Sequence, residues 1–145
     1  MGSIRLMHAK LHRVCVTEAN VNYVGSITVD PVMLERVGLL PLEEVDSMNV
    51  SNGSRLSSFV LRGPAQSRGS GARGGAALLC QPGDRLIIFA YELCDRHEVL
   101  QQGHQAKVLV TNESNETVDF YLQELIPKED GVKFINTICS EAVPH

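Results

Sequence analysis

Asn49-Val50-Ser51-Asn52-Gly53-Ser54-Arg55 is the stretch that decides what kind of fold this sequence makes. An Asn-Gly pair between two alternating runs is the strongest hairpin signal in the chain, because a type I′ turn needs φ > 0 at both central residues. Upstream, Glu44 to Ser51 keeps a strand period with Val45, Met48 and Val50. Downstream, Arg55 to Leu61 returns with Arg55, Ser57 and Phe59 on one face and Leu56, Ser58 and Val60 on the other.

Working outward, the same signals recur. Val14 and Val16 alternate with Arg13, Cys15 and Thr17 over Leu11 to Thr17, and Ile27 and Val29 alternate again. Asp30-Pro31 reads as N-cap and first helical residue of a short helix, Pro31 to Val37, that ends at Gly38. Gly63 to Gly75 holds five glycines, two serines and two arginines and reads as loop. Pro82-Gly83-Asp84 is a turn before a buried strand, Arg85 to Tyr91. Asp95 to Gln102 has the length and pattern of a short helix, Lys107 to Thr111 and Thr117 to Leu122 read as strands around an Asn112–Asn115 turn, and the pattern weakens into a mixed tail beyond Pro127. Many short strands with turn signals between them predict an all-β fold, a small closed or nearly closed barrel with one or two short helices.

Bulk properties exclude several function classes. The 145 residues suffice for one domain, 1–145, with a core that needs no staples. A net charge of −4 with no basic stripe argues against nucleic acid as a partner. The longest apolar run, Leu86 to Tyr91, is too short to span a bilayer, and the first ten residues lack the apolar segment of a secretory signal, so the expectation is a cytoplasmic protein away from membranes. The four cysteines, Cys15, Cys80, Cys94 and Cys139, form no C-x-x-C pair; they are expected to be reduced, partly buried thiols, and no metal site is expected.

Candidate chemistry gathers around Gly25-Ser26. A glycine has no side chain to crowd its own carbonyl, and the neighbouring hydroxyl can reach back to it. Alone, the pair is a bend. Its company is Lys10-Leu11-His12-Arg13 and Tyr23 before it, with Asn49-Val50, Asn52-Gly53 and Arg55 after it. These motifs, in this order and spacing, resemble the pyruvoyl-dependent aspartate 1-decarboxylase family, with Gly74 to Ala77 and Gly83-Asp84 as weaker support; the likeness runs to about Asn115 and leaves 116–145 as a divergent tail.

The resemblance implies a double-psi β-barrel, assembled as a homotetramer with active sites between neighbouring subunits. It implies self-cleavage between Gly25 and Ser26: the Ser26 hydroxyl attacks the Gly25 carbonyl, and elimination and hydrolysis leave a pyruvoyl group as the cofactor. Ser58 stands where the family has a Thr whose hydroxyl helps that step. The pyruvoyl ketone would take a small-molecule amino-acid substrate as a Schiff base and act as an electron sink during loss of CO2. Arg55, a bidentate carboxylate binder, and Lys10, with His12 beside it, would hold the two carboxylates. Gly74, Gly75 and Ala76 would offer backbone N–H groups to substrate, or would equally serve a tight crossing in the barrel. Some family members need a helper protein for the cut, so a maturation factor is among the implied partners.

Three departures mark the chain as a divergent member. Phe59 occupies the position of the family's proton-donating Tyr, leaving Tyr23, a cationic His12, Lys10 or a water as the acid. Arg73 replaces an Asn. The Gly63–Gly75 loop is shorter and the tail longer. Three readings follow: decarboxylation of L-aspartate to β-alanine, as in the biosynthesis of pantothenate; decarboxylation of another acidic or β-substituted amino acid; or a non-catalytic barrel.

Overall fold

A computed structural model describes residues 2–20, 26–63 and 69–139, with the backbone alone at Arg73 and Gly74. In chain order the strands are β1 (Ser3–Cys15), β2 (Glu18–Asn20), β3 (Ser26–Val29), β4 (Glu44–Asn49), β5 (Arg55–Arg62), β6 (Ser70–Arg73), β7 (Arg85–Asp95), β8 (His104–Thr111), β9 (Thr117–Lys128) and β10 (Gly131–Ile138). Two α-helices interrupt them, α1 (Pro31–Val37) and α2 (Arg96–Gln102), together with a 3-10 helix at Gly74–Leu78.

The strands form one sheet in the order β10-β9-β8-β1-β7-β4-β5-β3-β6-β2. That order cannot be flat. Only Val16 and Thr17 separate β1 from β2, a step of about 10 Å at full extension. Yet the order places β2 six strands from β1, which in a flat sheet is about 29 Å. The sheet therefore curls until its β2 edge returns to β1, making a small β-barrel. Backbone bonds fasten the seam: Thr17 N–H donates to the Ser70 carbonyl (2.8 Å), Val16 N–H to Asp84 (2.8 Å) and Gly83 N–H to Val16 (2.8 Å).

The barrel interior is apolar. Leu11, Val14, Ile27, Val29, Val45, Val60, Leu86, Ile88 and Leu109 are all at most 1% exposed, with Leu34 and Val37 of α1 packed among them. Leu11 and Val14 both point inward although three residues apart, because a bulge at Arg13 (φ 69°) inserts one residue into β1 opposite β7. Nothing in the sequence announced that bulge.

Local chemistry explains α1 in full. The Asp30 side chain accepts from Val32 N–H at 2.9 Å, Pro31 occupies the first turn, and Gly38 closes the helix at φ 80°. Other expectations are corrected. The turn after β4 is not type I′: Asn52 is absent from the positive-φ residues and only Gly53 (φ 80°) has that backbone. Asn49 N–H donates to Ser54 and Gly53 N–H to Asn49, so four residues form the loop and β4 ends at Asn49. The cause is side-chain competition: Asn49 and Asn52 each accept the N–H two residues on, from Ser51 and Ser54. The stretch expected to be loop contains β6, antiparallel to β3 and parallel to β2. Small residues let it pass between them; a Cβ at Gly71 would sit 2.6 Å from Thr28 Oγ1. The mixed tail is the β9–β10 hairpin, in which Pro127 lies beyond the last pairing of β9 with β8, Leu125–His104.

Candidate active site

Lys10 and His12 stand two apart on β1 and so share a face. Cross-strand register carries that face around the barrel. His12 pairs with Ile87, Ile87 with Met48, and Met48 with Arg55; Lys10 pairs with Phe89, Phe89 with Asp46, and Asp46 with Ser57. Two parallel rows thus run across β1, β7, β4 and β5 on the outer face. The sequence motif names the ends of the first row, but Met48 and Ile87 between them depend on non-local register and gave no signal.

Charge on this face is mixed and open. Arg55 and Ser57 are exposed, and the Ser57 hydroxyl lies 2.5 Å from Asp46 Oδ1. A surface hollow of about 430 Å³ is lined by Asp46, Ser47, Arg55, Leu56 and Ser57. His12 differs from its neighbours. Burial, then the cations Lys10, Arg13 and Arg85, hold its pKa below the ordinary imidazole value of 6.5. Its Nδ1 is buried and has no hydrogen-bond partner within the described chain. The lowered pKa favours the neutral imidazole at pH 7.

Ser26 opens β3, 1% exposed, opposite Arg73 of β6 in the backbone register. Ser58 lies two residues before Val60, the partner of Ile27, and pairs with the buried Val45, so it faces the interior while Arg55 and Phe59 face out. The structure thus separates the expected residues into two groups: Lys10, His12, Arg55 and Phe59 outside, Ser26 and Ser58 toward the core. Tyr23 and Gly25, and hence the expected cleavage bond, lie outside the described residues.

The 3-10 helix of Gly74, Gly75, Ala76, Ala77 and Leu78 packs against β3 and β6. A Cβ added at Gly75 would meet nothing within 4 Å, so no tight crossing in this chain demands that glycine. The helix end is held by residues noted in the sequence only as motif letters. The Leu79 carbonyl accepts from both Asn49 Nδ2 (3.1 Å) and Asn52 Nδ2 (3.0 Å). Asn49 also donates to Asp84 Oδ2 at 2.8 Å, and that oxygen accepts the Gln81 N–H. Arg85, a further residue the sequence did not single out, holds the bulge beside His12: its Nε donates to the Arg13 carbonyl (2.6 Å) and its Nη2 to Thr111 (3.0 Å).

The fold is thus a small β-barrel with a buried serine opening a strand beside a small-residue helix, and with Lys10, His12 and Arg55 on its outer face. The profile of the aspartate decarboxylase family matches residues 2–118. A relative from Synechocystis sp. named aspartate 1-decarboxylase is 86% identical over 145 residues, all of both chains. Another of that name from Crocosphaera subtropica is 62% identical over 133 residues, 92% of this chain and 88% of its own. A third, from Bacillus subtilis, is 45% identical over 113 residues, 76% and 85% of the two chains. The chain belongs to the aspartate decarboxylase family. Taken as a whole the chain is not a divergent member, given 86% identity across its full length to a relative of that name.

Proposed function

We infer that this chain is a carboxy-lyase converting L-aspartate to β-alanine and CO2, with a pyruvoyl group made from its own Ser26. Family membership and 86% identity to a relative named for that activity carry the substrate. The placement of Ser26 supports the cofactor: a nearly fully buried first residue of a strand, next to the uncharged Gly75, Ala76 and Ala77, fits a small ketone with no charged side chain to desolvate. When present, that group supplies the electron sink for the carbanion left by loss of CO2.

The chain's own residues do the rest. Arg55, exposed and carrying five N–H donors, takes one substrate carboxylate in a bidentate grip. Lys10 supplies the second positive charge. His12, kept neutral with an unpartnered Nδ1, offers or accepts one hydrogen bond without adding charge. The Ser58 hydroxyl assists the cut at Gly25-Ser26, and the backbone of Gly74, Gly75 and Ala76 orients substrate. Tyr23 takes the proton-donor role that Phe59 cannot fill.

Because Arg55 and Ser58 face opposite sides of β5, a complete site needs a second chain to bring an outer face to an inner group. A homotetramer supplies it, and the exposed Leu40 (69%), Leu42 (71%) and Leu78 (76%) are suited to such contacts. Intact mass under denaturing conditions tests the reading. Two fragments divided between residues 25 and 26, the larger lighter by one ammonia than a Ser-ended peptide, are expected. An uncut chain that still releases CO2 from aspartate would overturn the pyruvoyl assignment.

A further inference from the structure

Away from the outer row, β7 carries Glu92 and Cys94 on the side of the strand that bears Leu86, Ile88 and Ala90 in the core. Past the rim of the barrel this side turns polar. There Glu92, Cys94 and His104 bring one carboxylate oxygen, one sulfur and one ring nitrogen within 4.8 Å of one another.

The His104 tautomer is fixed by its other contact. Nε2 lies 2.8 Å from the Met7 carbonyl, which only accepts, so Nε2 carries the proton. The other ring nitrogen, Nδ1, is thereby turned toward Glu92 Oε1 at 3.4 Å. A cation placed between the two would be held by both. The His104 side chain is 9% exposed, so water screens the pair weakly from that side. A backbone carbonyl behind the distal ring nitrogen is also the arrangement by which proteins orient metal-bound histidines.

We propose that Glu92, Cys94 and His104 form a zinc-type divalent metal site, with a water in the fourth position. The distances agree with this chemistry. Bonds of about 2.1 Å place tetrahedral ligands about 3.4 Å apart, the separation found between His104 Nδ1 and Glu92 Oε1. Glu92 is exposed and Cys94 half-buried, which leaves both side chains the freedom to turn toward a shared ion. Thiolate with imidazole selects zinc over magnesium or calcium. The fourth position opens into a hollow of about 270 Å³ whose lining includes Glu98, Asp95 and Gln102.

The Cys94 thiol weakly contacts the Glu92 carbonyl at 3.7 Å, and a metal ligand must be the thiolate. Binding then forms a metal–sulfur bond and sends the thiol proton to solvent, one per metal. The metal joins β7 to β8 across the α2 connection, and its role is to fasten that rim.

Equilibrium dialysis of chelator-treated full-length protein against Zn2+ is expected to give one ion per chain, with a higher unfolding temperature when loaded. Co2+ as probe should show a thiolate-to-cobalt charge-transfer band in the near ultraviolet. Cys94→Ser should abolish that band and weaken Zn2+ binding at least tenfold, while leaving metal-free unfolding and aspartate turnover unchanged. His104→Gln should weaken binding as well. Failure to bind Zn2+, or binding undiminished in Cys94→Ser, overturns the site and leaves Glu92 and a protonated His104 as an ordinary ion pair.

Discussion

The Asn49 amide donates to Asp84 at 2.8 Å in a place where both side chains are buried, at 2% and 8% exposure. The same nitrogen reaches Leu79, so one side chain joins the β4 hairpin to the end of the 3-10 helix and to the turn before β7. Asn49→Ala leaves the Asp84 carboxylate short of a donor in a buried setting. A loss of about 1–3 kcal/mol is expected, read as a lower urea midpoint at unchanged slope. The substrate KM should rise with it, because the helix loses an anchor; a variant as stable and as active as the parent would refute the link.

His12 supplies a pH test. Its folded pKa is depressed, so protonation is resisted in the native state while an unfolded chain accepts the proton near pH 6.5. The sign follows: this contribution is fully present above about pH 6.5 and is lost as pH falls toward the folded pKa. His12→Asn should reduce the loss of stability on acidification. An imidazole titration by NMR with a midpoint at or above 6.5 would contradict the burial argument.

Arg55→Lys tests the carboxylate grip. A single ammonium cannot make the two parallel bonds of a guanidinium, so kcat/KM for aspartate should fall by roughly 10- to 100-fold, mostly through KM. Stability should stay within about 0.5 kcal/mol, as Arg55 is exposed. Equal losses in every parameter, with unfolding, would mark a structural residue instead.

Phe59→Tyr restores a hydroxyl on the outer face, where the ring is half-buried. If the missing proton donor limits turnover, kcat should rise severalfold with little change in KM. No gain would place proton delivery fully with another group, Tyr23 first among them.

How much of this was legible in the sequence depended on how local the cause was. Helix α1 was readable to the residue, because Asp30, Pro31 and Gly38 act within one turn of it. The β4–β5 pairing was readable, but not its turn: the Asn49 and Asn52 side chains reshaped the loop by bonding the backbone two residues on. Strand β6 was not readable, since Ser70-Gly71-Ala72-Arg73 has no apolar alternation and is a strand only because β2 and β3 flank it. The same holds for the site. Lys10, His12, Ser26 and Arg55 could be picked out by motif, whereas the split between an outer row and an inner serine comes from register between distant strands. Cysteine spacing could give no signal for the proposed cluster, because Glu92, Cys94 and His104 meet only once β7 and β8 are folded.

The course of β1 sets the fate of a cut chain. β1 is bordered by β7 along one edge and β8 along the other, and β2 is tied to β6. A break anywhere between β2 and β3 therefore yields a short piece woven into the long one from both sides. It can leave only if the whole barrel comes apart. If the proposed scission occurs there, the two pieces should run as one molecule on a sizing column and separate only in denaturant.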